Sequence, residues 1–153
     1  MKTRKRIVNI LVILIIIFAV VACSVALFAP SDGESYFFQS LRGEKVEIYG
    51  KGIYKYDSLS MAVQAIAQDY VTLFVAVPLL VIALIMFNKN MMKGKLLLAG
   101  IVYYFFYTYF LYAFTSAFNG LFLVYIALYS MSVISLILII MNTDLIHTFL
   151  FRV

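Results

Sequence analysis

The sequence predicts an all-α membrane protein: an antiparallel bundle of four transmembrane helices, with a small extracytoplasmic cap of β-hairpin and helix between helices 1 and 2. Two observations support this prediction. Of the 153 residues, 65% are apolar and only 12% are charged, whereas soluble domains carry about 25% charged residues. In addition, four uncharged runs, residues 7–29, 70–87, 96–118 and 121–141, are each close to the roughly 20 residues that cross a bilayer. The chain length suits one membrane domain.

The first run follows a cluster of basic residues and is longer than the roughly 7–15 apolar residues of a cleaved signal peptide, so we expect a retained helix. The cap comprises residues 30–69. Within it, residues 45–49 alternate polar and apolar side chains, as a half-buried strand does. Gly50 and Gly52 tolerate positive φ, and residues 53–56 then extend again. This pattern predicts a hairpin whose strands are residues 45–49 and 53–56.

The second run begins inside the cap. Asp57 and Ser58 have the short polar side chains that cap a helix N-terminus, and good helix formers continue from there into residues 70–87. Pro78 removes one backbone hydrogen bond, so we expect a kink in this helix.

The basic residues predict the orientation. Four precede the first run, at Lys2, Arg4, Lys5 and Arg6, and three more lie in the short loop 88–95. The cap contains more acidic than basic residues, and the turn at Asn119 has no charge. Because short loops rich in Lys and Arg remain cytoplasmic, we expect both termini, including the tail 142–153, to be cytoplasmic and the cap to lie outside.

Polar side chains from three helices are predicted to converge near the outer surface. Gln64, Gln68 and Thr72 share one face of a helix with about 100° per residue. Asp69 lies about 100° from that face, at the predicted membrane boundary, where a carboxylate usually anchors the helix at the interface. The orientation brings the end of the third run and the start of the fourth to the same level. The candidate outer polar pocket comprises Gln64, Gln68, Asp69, Thr72, Ser116, Asn119 and Tyr125.

Two interpretations of this pocket remain open: hydrogen bonds that hold helices together, or a ligand site. The single histidine, His147, lies in the tail, so a catalytic triad is not expected. With one cysteine, Cys23, we expect no metal or other cofactor. The basic residues flank apolar runs, so nucleic acid is not an expected partner.

We therefore expect a non-catalytic binding or partner-assembly module rather than an enzyme. Its partners would be the lipid bilayer, a lipid or small hydrophobic ligand, and another membrane protein or a second copy of the chain. The alternative is a membrane enzyme or a transporter subunit that acts on a lipid or small hydrophobic molecule.

Three segments carry a resemblance: residues 50–58 (GKGIYKYDS), 68–73 (QDYVTL) and 117–125 (AFNGLFLVY). Together they resemble a group of uncharacterised prokaryotic multi-pass membrane proteins, over roughly residues 49–133. The resemblance implies a prokaryotic cytoplasmic membrane and further spans in other members. It implies no activity.

Overall fold

The computed structural model describes residues 2–28, 30, 32–40 and 43–141. Within them, four helical spans are long and apolar enough to cross a membrane: Thr3–Phe28, Leu59–Asn88, Met92–Phe114 and Phe122–Met141. One small two-stranded hairpin lies between the first and second spans. These elements confirm the predicted fold class. The predicted tail, residues 142–153, lies outside the described residues.

The secondary structure follows a simple order along the chain. We number the elements α1 (Lys2–Phe28), β1 (Tyr36–Gln39), β2 (Lys45–Ile48), α2 (Leu59–Val71), α3 (Val77–Asn88), α4 (Met92–Phe114) and α5 (Phe122–Met141), with a π-helical turn at Thr72–Ala76 between α2 and α3. We call the end of the bundle that carries the hairpin the cap end. The opposite end, where α1 begins and α3 meets α4, is the lysine end.

The core of the bundle is lined by side chains spaced three or four residues apart on each helix, because such residues share one helix face. α1 packs against α5 and the second span, and α4 packs against α3 and α5. The buried face of α1 contains Val8, Val12, Ile15, Ala19 and Ala22. The buried face of α5 contains Tyr125, Leu128, Ser132, Ser135 and Ile139. Small residues on these faces let the helix backbones approach closely.

The second span is one continuous helical segment from Leu59 to Asn88. Ser58 caps it: its backbone is extended, and its hydroxyl accepts a hydrogen bond of 3.4 Å from the Met61 N–H. This confirms the predicted cap, which satisfies one of the free N–H groups of the first helical turn.

Just before Pro78, where the sequence predicts a kink, the structure has a π-helical turn at Thr72–Ala76. Pro78 has no N–H to donate to the carbonyl four residues earlier. Just before it, the Val77 N–H donates to the Thr72 carbonyl, five residues back. The helix thus accommodates the proline by changing from i→i−4 to i→i−5 hydrogen bonds over one turn.

A tight turn joins α3 to α4 at the lysine end. Asn90 adopts a left-handed conformation with φ of 56°. The Met91 N–H donates to the Met86 carbonyl and the Asn90 N–H to the Phe87 carbonyl, which is the Schellman pattern of helix termination. Lys5 of α1 donates to the Asn88 carbonyl and to Asn90 Oδ1, both at 2.9 Å. The basic N-terminus therefore lies beside this turn.

The hairpin differs from its predicted form. β2 matches the predicted first strand, but its partner is the earlier β1, paired from Tyr36 opposite Ile48 to Gln39 opposite Lys45. The prediction of a strand at residues 53–56 was wrong, because these residues form turns. Residues 53–56 do not pair with β2 as a strand. Instead, Ile48 forms a single β-bridge with Ser58, and the N–H groups of Tyr49 and Gly50 donate to the carbonyls of Asp57 and Lys55, which closes a short loop.

Gly50 and Gly52 do adopt the expected positive φ, 74° and 57°. Gly50 also permits close backbone contact with the segment that leads into β1. A Cβ atom on Gly50 would lie 2.0 Å from the Glu34 carbonyl oxygen, and one on Gly33 would lie 2.1 Å from the Gly50 carbonyl oxygen. The absence of side chains at Gly33 and Gly50 therefore allows the base of the hairpin to pack against the loop that precedes α2.

Candidate functional site

A polar network joins α2 to α4 within the bundle. Gln68 donates from Nε2 to the Tyr104 hydroxyl at 2.7 Å and to Thr108 Oγ1 at 3.2 Å. The hydroxyls of Thr72 and Tyr104 are 2.8 Å apart. Thr72 and Thr108 are buried. Such bonds hold membrane helices together, each worth about 0.6–2 kcal/mol.

Above this network, toward the cap end, a cavity of about 300 Å³ opens between α2 and α4. Gln64 and Gln68 line it from α2, while Thr108 and Tyr112 line it from α4. Its remaining walls are formed by Met61, Ala65, Tyr104, Tyr107, Leu111, Thr115 and Ser116.

The cavity combines apolar walls with uncharged hydrogen-bonding groups. None of its lining residues carries a formal charge. Gln64, Tyr107 and Thr115 are exposed, so the cavity is accessible from the lateral surface of the bundle. Both hydrogen bonds of Gln68 use its amide nitrogen and leave its carbonyl oxygen unused by them. The arrangement suits a small polar group attached to an apolar body.

A second polar centre lies deeper in the bundle, around Asp69. Only 3% of this residue is exposed, so it is not the interfacial anchor that the sequence indicated. The Tyr54 hydroxyl donates to Asp69 Oδ2 at 2.5 Å, and the Tyr112 hydroxyl shares its proton between the Ala65 carbonyl at 2.8 Å and Asp69 Oδ1 at 3.3 Å. Cys23 Sγ lies 3.7 Å from the same Oδ1. A buried carboxyl needs such donors, because an unpaired one is costly in an apolar interior.

Aromatic rings enclose this centre. The rings of Tyr112 and Tyr125 pack edge to face with centroids 5.1 Å apart, and Tyr109 packs against both. The Tyr125 hydroxyl is buried and has no hydrogen bond of 3.5 Å or less among the described residues, although the side chains of Tyr54 and Asn119 interact with it. α1, α2, α4, α5 and the cap each contribute one or more side chains, so the centre joins most of the fold.

Among the described residues, the side chains of Tyr54 and Asp57 form hydrogen bonds between the cap and the rest of the bundle. Tyr54, on the loop before α2, is fully buried and donates to Asp69. Burial, reinforced by Tyr125, Tyr112 and Asp69, raises the pKa of the Tyr54 hydroxyl far above its usual value, so it remains a donor at neutral pH. Asp57 Oδ1 accepts from the Ala117 N–H at 2.7 Å. Burial raises the pKa of the Asp57 carboxyl, and the bond from Ala117 opposes that shift.

The seven predicted pocket residues therefore separate into three places. Gln64, Gln68 and Ser116 line the cavity, and Thr72 joins the network below it. Asp69 and Tyr125 belong to the buried centre. Asn119 lies beside that centre, because its side chain interacts with the Tyr125 hydroxyl, and its Oδ1 also accepts from the Leu121 N–H at 2.9 Å and so caps the turn that begins α5.

Sequence reasoning missed Tyr54, Tyr104, Thr108 and Tyr112. A signal for three of them was present, because Tyr104, Thr108 and Tyr112 recur every four residues and so share one face of α4. Their face was obscured by other tyrosines nearby, such as Tyr103 and Tyr107, which are exposed. Tyr54 gave no signal, since its position depends on the fold of the cap.

Comparisons with known proteins add no assignment: no family model, curated protein or solved structure matches the chain. Within the described part of the chain, no group of three His, Cys, Asp or Glu side chains could hold a metal ion.

Proposed function

We propose that this integral membrane protein is a binding or partner-assembly module whose cavity between α2 and α4 binds an uncharged amphiphilic molecule. The observation that carries the proposal is the cavity itself, which is uncharged, partly polar and open to the lateral surface of the bundle. An amphiphile dissolved in the bilayer could enter from the side without leaving the membrane.

The chemistry of the lining defines the ligand class. Gln64 and Gln68 offer both donors and acceptors, and Thr115 and Ser116 add hydroxyl groups. Met61 and Leu111 provide apolar contact. With no charged group to pair with an ionic head group, a hydroxyl, carbonyl or amide head group fits best. The volume matches the lower end of small-molecule sites, so the head group would enter while the apolar tail remains among the lipids.

We further propose that the cavity lies in the outer leaflet of a prokaryotic cytoplasmic membrane. Seven basic residues lie at the lysine end, four at the N-terminus and three in residues 88–95. Lys5 contacts the α3–α4 turn, so both clusters belong to one end. The positive-inside rule assigns that end to the cytoplasm, and the resemblance to prokaryotic membrane proteins supports the compartment.

Gln64→Leu provides the sharpest test of ligand binding. Gln64 lines the cavity and is exposed, and no hydrogen bond to another described side chain involves it, so its removal should not weaken the bundle. We expect the parent protein, extracted with its native lipids, to retain an amphiphile that mass spectrometry detects, and Gln64→Leu to lose it with unchanged thermal stability.

Val63→Leu is the matched control, because Val63 is exposed on the same helix but outside the cavity lining. It should retain the amphiphile. Gln68→Leu should lose the amphiphile and also about 0.6–2 kcal/mol of stability, since it breaks the network with α4. A parent protein that carries no amphiphile, together with a destabilised Gln68→Leu, would show that Gln64, Gln68 and Thr72 serve only as contacts between helices.

The buried carboxyl of Asp69 favours a second candidate, a transporter or enzyme subunit that acts on the same amphiphile. Ionisable groups inside membrane spans usually serve a function, and Tyr112 both lines the cavity and donates to Asp69. This candidate would be preferred if the bound molecule were converted or translocated by the reconstituted protein.

A further inference from the structure

The β-hairpin has one apolar and one largely polar face. Residues directly opposite each other in an antiparallel pair project to the same side of the sheet. Tyr36 pairs with Ile48 and Phe38 with Val46, so these four side chains form one face. The other face combines Phe37 with Glu47 and Gln39 with Lys45.

The apolar face is only partly covered within the described structure, because Val46 and Ile48 are half-buried. Tyr36 is 49% exposed and Phe38 is 56% exposed. A two-stranded hairpin alone is marginally stable in water, so an apolar face of this kind needs a surface to rest on.

The position of the hairpin identifies that surface. Ile48 forms a β-bridge with Ser58, the N-cap of the second span. That span has 30 residues, which corresponds to about 45 Å of helix, and this equals the thickness of a bilayer including its head groups. The bridge therefore places Ile48, and Tyr36 opposite it, at the level of the lipid head groups.

Further aromatic side chains are exposed at the same end of the bundle. Phe28 at the end of α1 and Phe118 beside the turn before α5 are both exposed near the cap end. Aromatic side chains are enriched at this depth, where they contact both acyl chains and head groups. The apolar face of the hairpin thus lies at the same end of the bundle as these exposed aromatic side chains.

We propose that the hairpin lies on the membrane with Tyr36, Phe38, Val46 and Ile48 inserted at the boundary between head groups and acyl chains. Gln39, Lys45 and Glu47 then face the water, as does Phe37, which is 72% exposed. The partner of this surface is the lipid of the membrane that the helices cross. The inference is independent of the cavity, so its failure would leave the proposed ligand untouched.

The chain contains no tryptophan, so a single introduced tryptophan reports its own surroundings. Phe38→Trp and Tyr36→Trp place the reporter on the apolar face, and Phe37→Trp places it on the opposite face of the same strand. The full chain is reconstituted in vesicles of phosphatidylcholine and phosphatidylglycerol, part of them brominated near the top of the acyl chains.

We expect Phe38→Trp and Tyr36→Trp to emit at shorter wavelength than Phe37→Trp and to be quenched more strongly by the brominated lipid. Phe37→Trp should be quenched more strongly by aqueous acrylamide. Equal acrylamide quenching on both faces would overturn the proposal. It would also be overturned if the apolar-face reporters were shielded from both quenchers, or if their shielding decreased on dilution of protein in lipid, since protein would then cover the face.

Discussion

A single carboxyl, that of Asp69, shows how one residue constrains the surrounding fold. A carboxyl group inside an apolar bundle requires hydrogen-bond partners, and here Tyr54 and Tyr112 supply them from the cap and from α4. The helical period predicts the position of Asp69 relative to Gln64 and Gln68. It does not reveal which face packs inward, because both faces of α2 carry polar groups and the packing of neighbouring helices decides between them.

Tyr54→Phe tests whether the cap depends on this hydrogen bond. The change removes only the hydroxyl that donates to Asp69, and it leaves a buried acceptor with one strong donor fewer. We expect a loss of about 1–3 kcal/mol in stability, together with faster hydrogen exchange in residues 49–57. Thermal unfolding in detergent and exchange mass spectrometry would measure both effects.

Tyr56→Phe is the control, because Tyr56 is exposed on the same loop and keeps its ring contact with Lys55. It should leave stability and exchange unchanged. Equal behaviour of the two variants would show that the bond from Tyr54 to Asp69 does not hold the cap.

At the scale of elements, the sequence predicts features that depend on one segment alone, but it does not predict which segments pair. The helix N-cap at Ser58 could be predicted because an N-cap depends only on a few adjacent residues. β2 was recognised from its alternating side chains. Its partner β1 has the sequence YFFQ, and three successive aromatic residues give no alternation, so the strand could not be recognised and the later segment 53–56 was chosen instead.

Gly94 offers a prediction about the packing of α3 against α4. A Cβ atom at this position would lie 2.6 Å from the Met86 carbonyl carbon and 2.8 Å from the Phe87 nitrogen. These are backbone atoms of the preceding helix and cannot rotate away. Gly94→Ala should therefore destabilise the bundle by about 1–3 kcal/mol, the usual cost of overpacking, as measured by thermal unfolding in detergent.

Gly100→Ala separates this contact from the intrinsic preference of alanine for helices. Gly100 lies on the same helix, and a Cβ atom added there would have no neighbouring atom within 4 Å outside its own helical turn. Alanine at this position should be neutral or stabilise the helix by up to about 1 kcal/mol. A Gly94→Ala variant that is as stable as Gly100→Ala would contradict the close approach of the two helices.

At the scale of the whole molecule, the four spans could be predicted because span length and hydropathy are set by the bilayer rather than by contacts between residues. The candidate pocket could be predicted only in part, because its composition depends on contacts between residues of different helices. Depth in the membrane brings Gln68, Asp69 and Tyr125 to similar levels, but the rotation of each helix separates the cavity from the centre around Asp69. Rotation depends on packing, which depth alone does not encode.

The orientation of the bundle is the final prediction. In intact cells, cysteines introduced at the exposed cap residues Glu44 and Lys55 should react with a membrane-impermeant maleimide, whereas cysteines at the exposed Lys89 and Lys93 should react only after permeabilisation. The reason is the concentration of basic residues at the lysine end, which favours retention in the cytoplasm. The native Cys23 is buried, so the parent protein should remain unlabelled and serve as the background. Labelling of Lys93→Cys in intact cells would show that the orientation is the reverse of the one proposed, with the cavity in the cytoplasmic leaflet.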